Sequence, residues 1–194
     1  MTPADPEALR VAFAVLDVLQ DLGIPYHIGG SYASAIHGVP RQTHDIDLVV
    51  DLPPDRARDV ATALEGAFYV SEEAVKRAAA SGASFNLVHF ATGVKVDCFV
   101  KGRSAFDAAE FSRCVVARLG GESPRDVFVK SAEDLVLRKL LWFRLGGEAS
   151  DRQMEDVRGV LAVQGERLDR AYLVRWADEL GIRDLLERVL ATRL

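Results

Sequence analysis

Leu9, Phe13, Val15, Leu16 and Leu19 recur at the spacing of a helix, and Gly23 with Pro25 stops it. Asp5-Pro6-Glu7 opens that helix with a capping residue, a proline in the first turn and an acid. The pattern then shortens. A strand over Tyr26 to Ile28 leads through a Gly29-Gly30-Ser31 turn into a short helix ending near His37. After a loop, a strongly apolar strand opens on Asp45-Ile46-Asp47. Pro53-Pro54-Asp55 starts a further helix carrying Ala57, Val60, Ala61 and Leu64, and Ser71 to Ala80 forms another. Residues 83–100 predict a hairpin: Phe85 to Phe90, a turn through Ala91-Thr92-Gly93, then Val94 to Val100. Two more short strands, 113–119 and 125–129, flank the turn Gly120 to Pro124. From Ser131, which with Asp134 resembles a capping box, the chain turns almost wholly helical. Helices are expected up to Gly146-Gly147, from about Ser150 to Val163, and twice more from Asp169 onward.

Side chains alternate faces along a strand, so Asp45 and Asp47 project to one side while Ile46, Leu48 and Val50 face a covering layer. On the hairpin's second strand, Lys95, Asp97 and Phe99 share one face and Val94, Val96, Cys98 and Val100 the other. Asp97 stands between apolar neighbours, a costly place for a carboxylate unless a metal or hydrogen-bond donors satisfy it. Three carboxylates on neighbouring strands are what a two-metal phosphoryl-transfer site requires, because Mg²⁺ prefers oxygen ligands shared with substrate phosphates. The Gly29-Gly30-Ser31 turn allows close backbone approach, and the helix after it aims N–H groups at an anion.

Composition narrows the classes. With 49% hydrophobic and 27% charged residues in 194, the chain suits one globular domain or a domain with a helical appendage. A net charge of -5 provides no global basic field for nucleic acid. No apolar run approaches a membrane span, and the N-terminus lacks the features of a signal peptide, so a cytoplasmic protein without membrane contact is expected. Cys98 and Cys114 have no metal or redox spacing and read as reduced thiols. His27, His37 and His89 also lack metal spacing and read as structural. Trp142, Tyr172 and Trp176, set among Leu and Val, read as core.

Gly30-Ser31, thirteen residues, then Asp45-Ile46-Asp47, with the later Asp97, resembles the nucleotidyltransferase superfamily and its DNA polymerase beta-like palm. The form GGSYASAIHGVPRQTHDIDLVV, with SAEDLVLRKLLWFRLGGEASDRQMEDVRGVL further on, looks like the AbiEii/MenT branch, which includes toxins of toxin–antitoxin pairs. The resemblance covers most of residues 25 to 165. It implies an α/β (α+β) palm with a small mixed sheet and flanking helices over 1–130, then a C-terminal helical bundle over 131–194. It implies that Asp45, Asp47 and Asp97 bind Mg²⁺ or Mn²⁺, with Asp97 a candidate base. Gly29, Gly30, Ser31 and Arg41 would hold an NTP, and Lys139 would contact its phosphates. Asp156, preceded by Gln153, matches an acidic position on the next helix. The usual Arg-Asp or Lys-Asp pair is absent there, and Asp151 lies out of step.

The implied activity is metal-dependent transfer of an NMP from an NTP to an acceptor hydroxyl. The acceptor would be tRNA or protein, with an antitoxin as partner, or a small alcohol of the aminoglycoside kind. The alternative is a non-catalytic nucleotide- or partner-binding module retaining the fold. Simpler readings compete at single positions. Asp97 can pair with a structural Arg or Lys, Ser31 can cap its helix alone, and Lys139, beside Arg138, can lie on a helix surface. Arg41 and His44 can be solvated or structural loop residues.

Overall fold

The computed structural model describes residues 6–40, 43, 45–120 and 123–191. Helix α1 (Pro6–Asp21) buries Leu9, Val15, Leu16 and Leu19. Its expected cap, Asp5, lies outside the described residues. Strand β1 (Tyr26–Ile28) runs into α2 (Gly30–His37) through Gly29, and β2 (Ile46–Val50) returns antiparallel to β1. A single 3₁₀ turn at Pro54–Arg56 precedes α3 (Ala57–Leu64), which buries the four apolar positions its spacing predicted. Strand β3 (Phe68–Tyr69) escapes sequence pattern because two residues carry no alternation. Helix α4 (Glu72–Ser81) starts on a Ser71 cap that accepts from the Ala74 N–H. The hairpin of β4 (Ser84–His89) and β5 (Lys95–Val100) forms as expected.

Helix α5 (Ala105–Ser112) was not foreseen. Its buried positions are Phe106 and a carboxylate, Glu110, so its inward stripe reads as polar. A local signal was present: Ser104 and Asp107 form a complete capping box. At Ser131 the capping differs from expectation. Its Oγ accepts from the Asp134 N–H at 3.2 Å and donates to the Asp134 carboxylate at 2.6 Å. Asp134 also accepts the Tyr172 hydroxyl at 2.6 Å, so this acid belongs to a buried network.

Strands β6 (Val115–Leu119) and β7 (Arg125–Val129) complete a seven-stranded mixed sheet in the order β3-β4-β5-β2-β1-β7-β6. The fold is the mixed α/β architecture expected. Helices α6 (Ala132–Leu145), α7 (Asp151–Gln164), α8 (Arg170–Glu179) and α9 (Arg183–Ala191) follow. Gly38, at the end of α2, lets α7 approach closely, since a Cβ there would stand 2.8 Å from the Val160 nitrogen. The helical end is thereby pressed against the helix that starts at the glycine turn. Among the described residues no helix is long and apolar enough to cross a membrane. Cys98 is buried, Cys114 partly so, and both are free thiols.

Candidate active site

Strands β2 and β5 lie side by side and parallel, with Asp47 directly opposite Asp97. The alternation predicted from sequence holds. Ile46, Leu48 and Val50 are buried with Val96 and Cys98, while Asp47 and Val49, with Phe99 of β5, line a cleft of about 690 Å³. Residues 29–31 border the same cleft from β1 and α2, as do Lys139, Trp142, Gln153 and Asp156 from α6 and α7. Asp45 is exposed just ahead of β2. Arg41 and His44 lie outside the described residues.

The glycine turn is built around Asp47. The Gly29 N–H donates to the Asp47 carbonyl at 2.8 Å, and the Ser31 N–H donates to the Asp47 carboxylate. Gly30 adopts φ +52, and a Cβ on it would overlap that carboxylate. Gly30→Ala is therefore expected to cost about 1–3 kcal/mol, combining left-handed backbone strain with displacement of Asp47. A urea midpoint indistinguishable from wild type would contradict this.

Burial pushes the Asp47 carboxyl above its ordinary pKa, and the neighbouring Asp97 adds to the rise. The Ser31 N–H and the Lys139 ammonium oppose it. Asp97 is satisfied by Lys95, whose ammonium stands 2.8 Å from one carboxylate oxygen and 2.9 Å from the other. That hydrogen bond raises the Lys95 pKa, and the charges of Asp97, Asp45 and Asp47 all add to it. A lysine ammonium thus lies where the field of three carboxylates converges. All-oxygen donors with excess negative charge suit a hard divalent cation. Among the described residues, however, no three His, Cys, Asp or Glu side chains are gathered closely enough to hold a metal as they stand. Asp47 and Asp97 fit such an ion in chemistry and position, with Lys95 as the resident cation it would displace.

Lys139 is largely buried and donates to Asp156 at 2.8 Å, so it is no solvated surface lysine. Asp151 is exposed and does not line the cleft. Trp142 corrects an expectation: it is 51% exposed at the cleft, whereas Tyr172 and Trp176 are buried as read. Position within helix α6 explains this, for Leu140 and Phe143 take the inward positions beside it. The described histidines, His27, His37 and His89, do not line the cleft. His37 Nε2 lies 2.7 Å from the Lys130 carbonyl, and His89 meets the Thr92 hydroxyl at 2.9 Å. His27 is fully buried, and loss of hydration holds its pKa down at about 4.

Sequence reasoning missed one wall of the cleft. Glu110 accepts Lys130 Nζ at 2.8 Å and Arg138 Nε at 2.8 Å, and Arg138 also reaches Asp107 at 2.8 Å. Lys130 and Glu110 are buried, and Lys130 Cε packs near Gly29. The logic applied to Asp97 would have found both, since Glu110 sits between Ala109 and Phe111 and Lys130 follows Val127-Phe128-Val129.

A sequence model of the family described as aminoglycoside-2''-adenylyltransferase matches residues 11–108, just over half of the chain. The chain belongs to this family. It is thereby a member of the nucleotidyltransferase superfamily of enzymes, and the matched span contains the glycine turn and all three carboxylates. Solved structures agree in fold. The solution structure of the antibiotic-resistance factor ANT(2'')-Ia superposes with a TM-score of 0.57 at 17% identity, covering 92% of this chain and 96% of that one. The crystal structure of ANT(2'')-Ia with adenylyl-2''-tobramycin gives 0.54 at 17%, covering 94% and 98%. An antigenic nucleotidyltransferase-like protein from Paracoccidioides brasiliensis gives 0.51 at 17%, covering 97% and 94%. A search of curated protein sequences finds no match. The chain shares its fold with these proteins across nearly its whole length.

Proposed function

We propose that this protein transfers a nucleoside monophosphate from an NTP to an acceptor hydroxyl, using divalent metal. The observation that carries the reading is Asp47 lining the cleft with Asp97 opposite it in strand register, and the Gly30–Ser31 turn folded onto Asp47. Residues 1–130 act as the palm and residues 131–194 as a helical region closing the cleft. Cytoplasm, where NTP is supplied, is the compartment this chemistry fits.

In the proposed mechanism Asp45, Asp47 and Asp97 would hold Mg²⁺ or Mn²⁺. When bound, such ions neutralise phosphate charge and make the acceptor hydroxyl easier to deprotonate. The start of α2, at Gly30 and the Ser31 side chain, would receive the triphosphate. Lys139, oriented by Asp156, would add a charge toward the phosphates, and Arg41, outside the described residues, is a further candidate by motif resemblance alone. Asp97, freed from Lys95, is the acceptor-side base. Most of the rate then comes from positioning and fixed charge. Lys95 should compete with the metal for Asp97. Lys95→Met is expected to lower the Mg²⁺ concentration giving half-maximal thermal stabilisation about threefold to tenfold. A higher requirement would instead mean that Lys95 holds Asp97 in place for the ion.

The test is transfer of label from each α-³²P NTP in turn, in the presence of Mg²⁺, to aminoglycosides, total tRNA or protein. Label on any acceptor that depends on Asp47 supports the reading. A protein that binds Mg²⁺·NTP yet labels nothing favours the non-catalytic binding module. The narrower AbiEii/MenT reading, with a tRNA or protein acceptor and an antitoxin partner, rests on motif resemblance and is tested by the tRNA and protein arms.

A further inference from the structure

Helix α2 carries Gly30 and Ser31 to Asp47, yet it is only eight residues long, and Gly29 ahead of it offers no side-chain cap. About two turns of helix have little stability of their own, so tertiary contact must fix α2 in place. Burial of Tyr32, Ala33, Ser34 and Ala35 holds it to the core. Apolar contact is non-directional, however, and does not by itself set the depth or tilt of a helix.

Directional contacts converge instead on one residue, Lys130, between β7 and α6. Its N–H donates to the Ile28 carbonyl at 2.9 Å, just ahead of the glycine turn. Its carbonyl lies 2.7 Å from Nε2 of His37, the last residue of α2. A carbonyl only accepts, so Nε2 carries the proton and His37 donates. The Lys130 side chain passes Gly29, with Cε 3.7 Å from where a Cβ would stand there, and Glu110 holds its ammonium at 2.8 Å. The strand before α2, the glycine that opens it and the histidine that ends it therefore all rest on Lys130. Gln164 of α7 secures the same end, donating to the His37 carbonyl at 2.6 Å. A tilt or slide of α2 would carry the Gly29 N–H off the Asp47 carbonyl and the Ser31 N–H off its carboxylate.

We propose that His37 and Lys130 are positioning residues for the nucleotide. The brace between them holds the first turn of α2 preformed on Asp47, so that Mg²⁺·NTP meets a site already ordered. This rests on the reading of the site as a nucleotidyltransferase, and both residues act in it through α2.

Amide exchange of Gly29 and Ser31, read by NMR on the full-length protein, reports on the brace without nucleotide. Calorimetric titration with a non-hydrolysable analogue of each NTP, in Mg²⁺, reports on its consequence. His37→Phe keeps a ring and loses the donor. It is expected to speed exchange at both amides about tenfold and to weaken analogue binding about threefold to tenfold. His37→Gln, which supplies an N–H donor again, should restore both. Val60→Ala creates a cavity under α3, which packs on α1 and α4, and should leave both near wild type. Wild-type exchange in His37→Phe overturns the proposal, as does an equal rise in Val60→Ala or a failure of His37→Gln to restore. Faster exchange with unchanged analogue affinity also overturns it, leaving a contact that serves stability alone. Should His37→Phe fail to fold, Glu110→Gln combined with Lys130→Met decides by the same two readouts, since it frees the side chain while removing one charge of each sign. If wild type binds no analogue, the nucleotidyltransferase reading falls, and the exchange arm still judges the brace.

Discussion

Asp47→Asn is expected to lose about 10³-fold or more in nucleotidyl transfer while melting higher than wild type, by about 2–4 °C for about 1 kcal/mol in a chain of this size. The two effects have one origin. Burial, and then the adjacent Asp97, raise the Asp47 pKa above the ordinary carboxylate range, so folding favours its neutral form. For an acid shifted in this direction, the stabilising contribution is complete below the unfolded pKa. It is lost as pH rises through the folded pKa. Ionising Asp47 in wild type is therefore disfavoured by the fold alone. Asparagine removes the charge and keeps an oxygen to accept the Ser31 N–H. It cannot match a carboxylate as a metal ligand, so activity falls. Trading stability for a charged site is common in active sites. The check is thermal melting of both proteins at pH 7 and near pH 4, where the difference should shrink as wild-type Asp47 protonates. A lower Tm for Asp47→Asn at pH 7, or retained transfer, would sink the account.

The faces of β2 and β5 were legible because alternation is local: Ile46, Leu48 and Val50 had to turn inward, and Asp47 outward with them. The register that sets Asp47 opposite Asp97 was not, since it depends on β5 lying beside β2 after two intervening helices and two strands. The glycine turn was legible as a motif, but the reason for Gly30, a carboxylate filling the space of its missing Cβ, comes only from packing. The Lys95–Asp97 pair is the structural pairing that the sequence left open as an alternative. Trp142 was misread because a helix buried on several sides still turns one position toward a cleft. The superfamily was legible, and the branch was not. Gly-Ser and Asp-x-Asp form a local motif that many branches share, whereas the far wall of the cleft is built from Asp107, Glu110, Lys130 and Arg138, scattered over three elements without one.

That wall carries the largest expected effect on stability. Glu110→Ala should destabilise the protein by about 3–5 kcal/mol, because removing the shared carboxylate strands the Lys130 ammonium and part of the Arg138 guanidinium. Both partners bond Glu110 at 2.8 Å, and Lys130 is only 4% exposed, so water cannot readily replace the lost acceptor. Burial by itself would raise the Glu110 pKa, but Lys130 and Arg138 hold it below the ordinary value. A depressed acid contributes stability that is present above its unfolded pKa and is lost as pH falls through the folded one. Wild type should therefore lose stability in the acid range below about pH 4.5, a loss that Glu110→Ala lacks. Glu110→Gln keeps an acceptor oxygen and should cost less than Glu110→Ala. Urea denaturation at pH 7 and pH 4 measures each of these. A loss under about 1 kcal/mol for Glu110→Ala would place the pair among solvated surface bridges. If the full penalty appears and is largely relieved by adding Lys130→Met, stranded charge is its cause, and this wall of the cleft is held together by its ion pairs.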